Sequence, residues 1–265
     1  MATVRILVTG ATGRVGGALV PVLKRAGASV VALARDPARA AALKTQGVEL
    51  RQADLADPAS LPRALAGIDK AFLATAETPD QAVLEKNFIA AAATAGIGHI
   101  VKLSAQSAGM APPRSFGKFH REAEVALEQS GVPFTVLRPH FFMQSIMIFA
   151  TEIRQKNRFT APLKTGRVSM VDLRDVAAVA ACCLADDSQK GKAYILTGPR
   201  PVDFYEVAKL VSQARGRNVE FRHVPAFIAR MTMPRITGLP RWYTDLTIDL
   251  FVALNRGAQT PMTDS

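Results

Sequence analysis

The feature that most constrains the fold of this chain is an alternation, over its first half, of short β-branched runs with longer alanine-rich stretches. Six apolar runs are predicted to be strands: residues 4–9, 29–34, 48–53, 70–75, 99–104 and 133–138. Such runs are typical of strands that helices cover on both faces of a parallel sheet. Between them, helices are predicted at residues 14–27, 36–47, 57–67, 79–96 and 118–131. Repeated β–α units of this kind predict an α/β fold with a doubly wound parallel sheet.

After about residue 140 the alternation is less regular. The pattern predicts a strand and a helix within 168–187, strands at 191–198 and 218–224, and helices at 203–216 and 242–257, with an irregular Met- and Pro-rich region at 225–240. We expect residues 1–140 to form a nucleotide-binding domain. Residues 141–265 are expected to form a smaller lobe that is interleaved with this domain and completes a cleft.

Composition narrows the class of protein. Apolar residues make up 49% of the 265 residues, enough for a buried core. The N-terminus lacks the pattern of a signal peptide, and the most apolar later stretch, FFMQSIMIFA, is too short to span a bilayer. We therefore expect a cytoplasmic protein with no membrane partner.

The net charge is +11, but the basic residues are scattered without a recognition motif, so we do not expect nucleic-acid binding.

A glycine-rich turn is predicted directly after the first strand. Gly10, Gly13 and Gly16 have the spacing GxxGxxG and open the first predicted helix. Glycines at this position let the backbone turn sharply and approach a pyrophosphate, while the helix N-terminus offers free N–H groups. The turn therefore predicts a dinucleotide site, and the candidate contacts within it are the three glycines with Thr12, Arg14 and Val15.

The end of the second strand indicates which dinucleotide is bound. NAD-selective sites usually have an acidic residue there, whereas this chain has Arg35, with Arg14 and Arg39 nearby. Guanidinium groups suit a 2′-phosphate. Asp36 is an acidic residue that would favour NAD, but it precedes Pro37, a position typical of a helix cap. These residues predict NADP(H) as the cofactor.

Further cofactor contacts are expected where other strands end. The third strand is followed by Asp54 and Leu55, where such folds commonly contact the adenine. The fourth strand ends at Ala74 and Thr75, beside the expected phosphates and ribose. Pro139 ends the sixth strand, at the edge of the sheet where ligands bind in open α/β folds.

Several segments of the chain resemble the NmrA-like family of atypical short-chain dehydrogenases/reductases. These segments are TGATGRVGG, ALARDPARA, SGVPFTVLRPHFFMQS, VDLRDVAAVAACCLADD and GKAYILTGPRPVDFYEVAKLVSQARGRNVEF. The resemblance covers nearly the whole chain and implies a Rossmann domain with a small α/β lobe and a preference for NADP(H). Some members resemble quinone, azo-dye or triphenylmethane reductases, and others resemble redox sensors that bind the dinucleotide and act through a protein partner.

The segment SFGKFHREAE departs from the pattern of tyrosine-dependent reductases. Where those enzymes have a Tyr and a Lys four residues later, this chain has Phe116 and His120. A phenyl ring has no ionisable proton, so His120 is the candidate to contact the nicotinamide ribose or to supply a proton. The alternative is a polar residue on the surface or in the N-terminal half of the helix. Ser104 lies close to the position of the family's catalytic Ser or Thr, which makes it the second catalytic candidate.

A flat apolar acceptor is expected to bind after the sixth strand. The candidates are His140, Phe141, Phe142 and Met143, together with Gln106 after the fifth strand. Adjacent aromatic residues suit an acceptor stacked over nicotinamide, although core packing explains them equally well. Met231, Met233 and Trp242 are expected to form a far wall or an ordinary core cap.

Loss of the tyrosine narrows the substrate class. Reduction of a simple ketone concentrates charge on one oxygen, whereas a quinone, an enone or a cationic dye spreads or cancels that charge. We therefore expect an NADPH-dependent reductase of a conjugated small molecule, with a non-catalytic NADP(H) sensor as the alternative. A homodimer and a regulatory protein partner both stay open. The four histidines and two cysteines lack metal-ligand spacing, and we expect no metal.

Overall fold

The computed structural model describes residues 3–110 and 116–257 of the chain. In these residues the strands are β1 (Arg5–Val8), β2 (Ser29–Ala34), β3 (Glu49–Gln52), β4 (Lys70–Leu73), β5 (His99–Leu103), β6 (Phe134–Pro139), β7 (Phe141–Phe142), β8 (Arg158–Ala161), β9 (Met170–Val171), β10 (Lys192–Leu196) and β11 (Glu220–His223). The helices are α1 (Arg14–Arg25), α2 (Ala41–Lys44), α3 (Leu61–Leu65), α4 (Gln81–Thr94), α5 (Gly117–Gln129), α6 (Ala150–Lys156), α7 (Leu173–Ala185), α8 (Phe204–Arg215), α9 (Ala226–Thr237) and α10 (Arg241–Asn255). Short 3₁₀ turns lie at Pro58–Ser60, Gln106–Gly109, Met143–Phe149 and Asp187–Gln189.

A parallel sheet dominates the first structural unit. Within the described residues it has seven strands in the order β10-β6-β5-β4-β1-β2-β3. The strand order reverses at β1, whose Ile6 is in register with Val30 of β2 on one side and with Lys70 of β4 on the other. This reversal confirms the predicted doubly wound sheet. All six predicted strands are present, with ends that agree to within two residues.

Both faces of this sheet are buried, which explains why its strands are apolar throughout. On one face Leu7, Val31 and Ile100 pack with residues of α3, α4 and α5, including the fully buried Phe88. The alternate residues of the same strands face α1 and α7, which pack against each other. Helices on both faces are the arrangement that parallel crossovers require.

The chain divides into two compact units at points that differ from the predicted boundary. The first unit comprises residues 1–139 and Leu173–Leu196, and the second comprises His140–Asp172 with the residues from Thr197 onward. Helix α7 and strand β10 belong to the first unit because α7 packs on α1 and β10 extends the sheet beside β6.

The second unit has its own aromatic core. Strands β8 and β11 form a parallel pair, and β7 pairs with β9. Phe159, Phe204, Phe221 and Phe251 are buried together, with ring centroids between 5.2 and 5.7 Å apart for the pairs in contact. Across the segments that the structure describes, none of the helices combines the length and apolar character needed to cross a bilayer.

Two regions to which the sequence analysis gave a structure differ from it, and β7, α6 and β8 lie where no element was predicted. The helix predicted over 36–47 is limited to α2, because Asp36 accepts a hydrogen bond from the Ala38 N–H at 3.0 Å and forms a local turn instead. The Met- and Pro-rich region is not irregular, since α9 occupies most of it. Burial of Met233 against Ile248 of α10 outweighs the cost of a proline inside the helix.

Candidate active site

The turn between β1 and α1 is built so that only glycine fits at its key positions. Gly10 has a φ of +60°, and its carbonyl accepts a hydrogen bond from the Gly13 N–H at 2.8 Å. A Cβ added to Gly16 would lie 2.3 Å from the Gly10 oxygen, and one added to Gly10 would lie 2.8 Å from the Ala74 oxygen. The turn therefore closes tightly against the end of β4, and this closeness requires the absence of side chains.

The same turn fits a pyrophosphate. Gly13 is the N-cap of α1 and has no side chain to bond to the first N–H groups of the helix, and the first turn of α1 contains no acidic residue. Thr12, Gly13 and Arg14 are exposed, while Val15 and Gly16 are buried. A twelve-residue helix with free N–H groups and no competing carboxylate favours an anion at its N-terminus.

The arginines predicted to bind a 2′-phosphate are exposed. Arg35 follows β2 directly, and the described residues provide neither Arg35 nor Arg14 with an ion-pair partner. Asp36 pairs instead with Arg39, at 3.7 Å between Nε and Oδ2. The carboxylate that argued for NAD is therefore engaged in its own turn.

The remaining predicted cofactor residues of the first unit lie at the ends of β3 and β4. The hydroxyl of Thr9 donates to the Ala74 carbonyl and accepts from the Ala74 N–H, both at 2.8 Å, so that the ends of β1 and β4 are joined. The Asp54 carboxylate accepts from the N–H of Ala56 at 3.0 Å. Leu55 is buried, and its carbonyl accepts from the Asn87 amide at 2.9 Å. Their contacts to a cofactor stay predictions.

A group of polar side chains, which we call the buried ionic cluster, lies between α4, β5 and α5. It consists of Gln81, Glu85, Lys102 and His120. The Lys102 ammonium lies 2.7 Å from Glu85 Oε2, and neither side chain is exposed. Thr75, at the end of β4, donates its hydroxyl proton to Glu85 Oε1 at 2.7 Å. The cluster therefore connects two predicted cofactor residues, Thr75 and His120, through an ion pair.

His120 is buried, so it is not a surface residue, and it lies in the N-terminal half of α5. Its Nδ1 lies 3.2 Å from the Gln81 amide nitrogen and 3.3 Å from the Lys102 ammonium. Burial lowers the pKa of His120 well below 6.5, and the charge of Lys102 lowers it further. The imidazole is therefore neutral near pH 7, so it can form hydrogen bonds but does not act as a cationic proton source. The role of His120 at the nicotinamide stays a prediction.

Ser104 is also buried, and its hydroxyl proton is used within the protein. Oγ donates to Glu124 at 2.5 Å, and Arg138 donates two hydrogen bonds to the same carboxylate, at 2.7 and 3.1 Å. Burial acts to raise the pKa of Glu124, but the hydrogen bonds from Arg138 and Ser104 bring it below its ordinary value. Glu124 is thus an ionised acceptor, and Ser104 helps to hold it. A catalytic role for Ser104 stays a prediction.

Phe116 and Gln106 flank these groups in the sequence. Phe116 is buried, and the next residue, Gly117, packs so closely on Ser107 that a Cβ would lie 2.3 Å from its carbonyl carbon. Gln106 is half-buried at the start of a 3₁₀ turn. The buried phenyl ring leaves no hydroxyl where many reductases have a tyrosine.

The predicted acceptor residues after β6 belong to the second unit. Phe141 packs against Phe204 and Phe251, with centroids 6.4 and 6.0 Å apart, so core contacts account for its ring. His140 has a buried Nδ1 with no hydrogen-bond partner among the described residues, and burial lowers its pKa to about 4. Phe142 is half-buried and Met143 is 41% exposed.

The residues predicted to form a far wall have different environments. Met233 is buried in the core with Ala229, and Met231 is 67% exposed on α9. Trp242 packs edge-on against Tyr243, with centroids 5.6 Å apart. Met233 therefore fits the alternative of a core cap. No three His, Cys, Asp or Glu side chains in the described segments are arranged so as to hold a metal ion.

The sequence pattern of the NmrA-like family matches residues 2–244. The chain belongs to the NmrA-like family. The resemblance that its motifs suggested is thereby confirmed.

Among the relatives of this NmrA-like chain is the NAD(P)H azoreductase of Xenophilus azovorans, which is 37% identical over 246 residues and is matched over 93% of this chain and 86% of its own length. The NADPH complex of a quinone oxidoreductase from Escherichia coli superimposes with a TM-score of 0.87 at 29% identity, covering 95% of this chain and 89% of that one. The NADP(H) complex of a triphenylmethane reductase from a Citrobacter species superimposes with a TM-score of 0.85 at 26% identity. The match covers 98% of this chain and 93% of that one.

Sequence reasoning missed the partners of His120 in this NmrA-like chain. Lys102 lies inside an apolar strand of a sheet whose two faces are both covered by helices. A charge in such a position requires a buried partner. That was the available signal. The partner, Glu85, comes from a helix 17 residues earlier and is recognisable only once the fold brings α4 beside β5.

Proposed function

We propose that this NmrA-like protein is an NADPH-dependent reductase of conjugated acceptors such as quinones and azo or triarylmethane dyes. The observation that carries the proposal is the glycine turn. The close approach of Gly10 to Gly16 leaves the N-terminus of α1 open to an anion, and the turn contains no carboxylate. The names and cofactors of the azoreductase, quinone oxidoreductase and triphenylmethane reductase relatives support the same activity.

The residues of this chain would hold the cofactor by charge and backbone contacts. The backbone N–H groups of the first turn of α1 would bind the pyrophosphate, and Arg35 with Arg14 would bind the 2′-phosphate. Glycine at position 16 keeps the turn closed beneath the phosphates. When bound, NADPH supplies the hydride.

The protein groups near the predicted reaction centre suit an acceptor that needs little acid catalysis. Phe116 has no hydroxyl, His120 is neutral, and the Ser104 proton is donated to Glu124. A quinone or dye delocalises the charge that develops on reduction, so positioning supplies most of the acceleration. Reduction of a quinone consumes one hydride from NADPH and a further proton, which we assign to water.

The hydrogen bonds that Ser104 and His120 already make within the protein also favour a second function, that of a sensor of NADP(H). A protein that binds NADP(H) without turnover needs no proton donor, and it would act through a regulatory protein partner. NADPH consumption distinguishes the two functions, because the sensor binds NADPH but does not oxidise it.

An acceptor panel tests the proposed function. Purified protein is mixed with NADPH and, in separate reactions, with a naphthoquinone, an azo dye, a triphenylmethane dye and an aliphatic ketone as the matched acceptor without conjugation. We expect NADPH loss with at least one conjugated acceptor and none with the ketone. Binding of NADPH without loss in any reaction would favour the sensor. A ketone that reacts as fast as the quinone would contradict the substrate class.

A further inference from the structure

The Lys102 ammonium determines which nitrogen of His120 carries a proton. An ammonium group has three hydrogens and no lone pair, so it can only donate. Three acceptor atoms surround Nζ: Glu85 Oε2 at 2.7 Å, the Leu103 carbonyl at 3.1 Å and His120 Nδ1 at 3.3 Å. Nδ1 must therefore present a lone pair to Lys102. In a neutral imidazole, the proton then resides on Nε2.

Gln81 presents its amide NH₂ group to the same ring. Its amide nitrogen lies 3.3 Å from Glu85 Oε1, a contact that a carboxylate can make only with the NH₂ end of the amide. The same nitrogen lies 3.2 Å from His120 Nδ1 and 3.4 Å from His120 Nε2. Gln81 therefore contacts both ring nitrogens, and the charged donor that distinguishes them is Lys102, which contacts Nδ1.

Glu85 holds this arrangement together. Its carboxylate contacts Lys102, accepts the Thr75 hydroxyl proton at 2.7 Å and accepts from Gln81. The three contacts fix the Lys102 ammonium and the Gln81 amide relative to the imidazole. A pair of buried charges contributes little stability compared with apolar residues of similar size, but it can specify one arrangement of its neighbours.

We propose that Lys102, held by Glu85, is a positioning residue that fixes His120 as a neutral imidazole with its proton on Nε2. Its effect on turnover rests on the proposed function, because it requires His120 to contact the bound dinucleotide. In this form Nε2–H is a permanent hydrogen-bond donor over the working pH range. The role of Lys102 is therefore to make one nitrogen of His120 a donor and to keep the ring uncharged.

Few other charges in the described residues bear on this ring. From α4 the group facing it is Glu85, and from β5 it is Lys102. On α5 itself, Glu124 is engaged by Arg138 and Arg121, and Lys118 is exposed. Lys102 is therefore the charged group that bears on the protonation of His120, in addition to the larger effect of burial.

The test uses two double variants with equal changes in residue type. Glu85→Gln with Lys102→Met removes both buried charges together, so that neither is left unpaired. Lys86→Met with Glu122→Gln is the matched control, since this exposed ion pair also joins α4 to α5, at 3.0 Å. Long-range ¹H–¹⁵N correlation spectra of histidine-labelled protein report the tautomer and charge of His120 without any need for activity.

We expect the spectrum of the wild type and of the control to show the Nε2–H form of His120 unchanged between about pH 5.5 and about pH 8. In the Glu85→Gln/Lys102→Met variant the ring should titrate closer to 6.5 and populate both tautomers. A wild-type ring with its proton on Nδ1, or a variant whose His120 signals match the wild type, would overturn the proposal.

Measurements of turnover distinguish a failure of this inference from a failure of the proposed function. If the spectra change as expected and the pH dependence of kcat in the buried double variant moves towards that of an ordinary imidazole while that of the control does not, His120 acts at the reaction centre. Changed spectra with an unaltered pH profile would leave Lys102 as the positioning residue of His120 but would refute the place of His120 in the reaction. If the wild type oxidises no NADPH, the proposed function fails, and the spectra still decide the inference.

Discussion

Glu85 Oε2 and Lys102 Nζ form an ion pair of 2.7 Å in which neither side chain is exposed to solvent. The pair joins α4 to the strand β5 and places a positive charge beside His120. Folding buries both charges together. A substitution that removes one of them therefore leaves the other unpaired in the interior.

Substitution of Lys102 alone should therefore be severely destabilising. We expect Lys102→Met to lower the free energy of unfolding by about 3–5 kcal/mol, and the additional Glu85→Gln substitution to restore most of this loss. The exposed variant Lys86→Met should change the free energy by no more than about 0.5 kcal/mol. Urea unfolding of the four proteins measures these differences. Equal stability of Lys102→Met and the wild type would contradict a buried ion pair.

Neighbouring glycines in α1 should respond differently to the same substitution. A Cβ at Gly16 would overlap the Gly10 carbonyl at 2.3 Å, whereas at Gly17 the nearest atom, the Ala11 oxygen, is 3.5 Å away. We expect Gly16→Ala to cost about 1–3 kcal/mol of stability and to weaken NADPH binding by about tenfold or more. Gly17→Ala should leave binding intact and add up to about 1 kcal/mol of stability. Calorimetric titration and thermal unfolding provide the measurements, and similar behaviour of the two variants would refute the close approach.

Arg35 should determine the preference for the phosphorylated cofactor. Arg35→Asp replaces a charge-assisted contact with repulsion, and we expect it to weaken NADPH binding by about 1–3 kcal/mol while NADH affinity changes little. Arg25→Asp, at the opposite end of α1, makes the same change in net charge and serves as the control. Equal loss in both variants would indicate a general charge effect and would contradict a 2′-phosphate contact by Arg35.

His99 should make stability depend on pH. It is fully buried, and its Nε2 donates to Thr135 at 2.9 Å, since the Thr135 hydroxyl proton goes to the Gln189 carbonyl. Burial and the charge of Lys70 lower its pKa from 6.5 to about 4. Between these values the unfolded state binds a proton that the folded state does not, so stability falls as the pH is lowered.

The expected slope is about 1.4 kcal/mol per pH unit for this residue between about pH 6 and about pH 5. His99→Gln should reduce the measured slope by this amount, whatever its effect on stability at pH 7. Urea unfolding at several pH values gives the slope directly. An unchanged slope in His99→Gln would show that His99 does not stay neutral in the folded protein.

The sheet and the glycine turn could be predicted because their signals are local in the sequence. The strands VRILVT and SVVALA are apolar because both faces of each strand are buried, and the turn at Gly10 needs a conformation that glycine adopts readily. Helix α9 was missed because its stability depends on burial of Ala229 and Met233 against α10, a tertiary contact that outweighs local propensity.

The environment of the candidate site was less predictable. His120 and Ser104 were identified by their positions in a motif, but the groups that fix their state come from other elements. Lys102, paired with Glu85, further lowers the pKa of the buried His120, and Glu124 with Arg138 holds the Ser104 hydroxyl. These contacts join residues between 14 and 20 positions apart, and neither spacing nor composition indicates such pairings.

Steady-state oxidation of NADPH with a naphthoquinone, followed for the wild type, Gly16→Ala and Gly17→Ala, is the sharpest test of the glycine turn as the NADPH site. We expect the wild type and Gly17→Ala to form one hydroquinone for each NADPH consumed, and Gly16→Ala to lose most of this activity at low NADPH. A wild-type protein that binds no NADPH, or Gly16→Ala activity equal to that of Gly17→Ala, would refute this role of the turn.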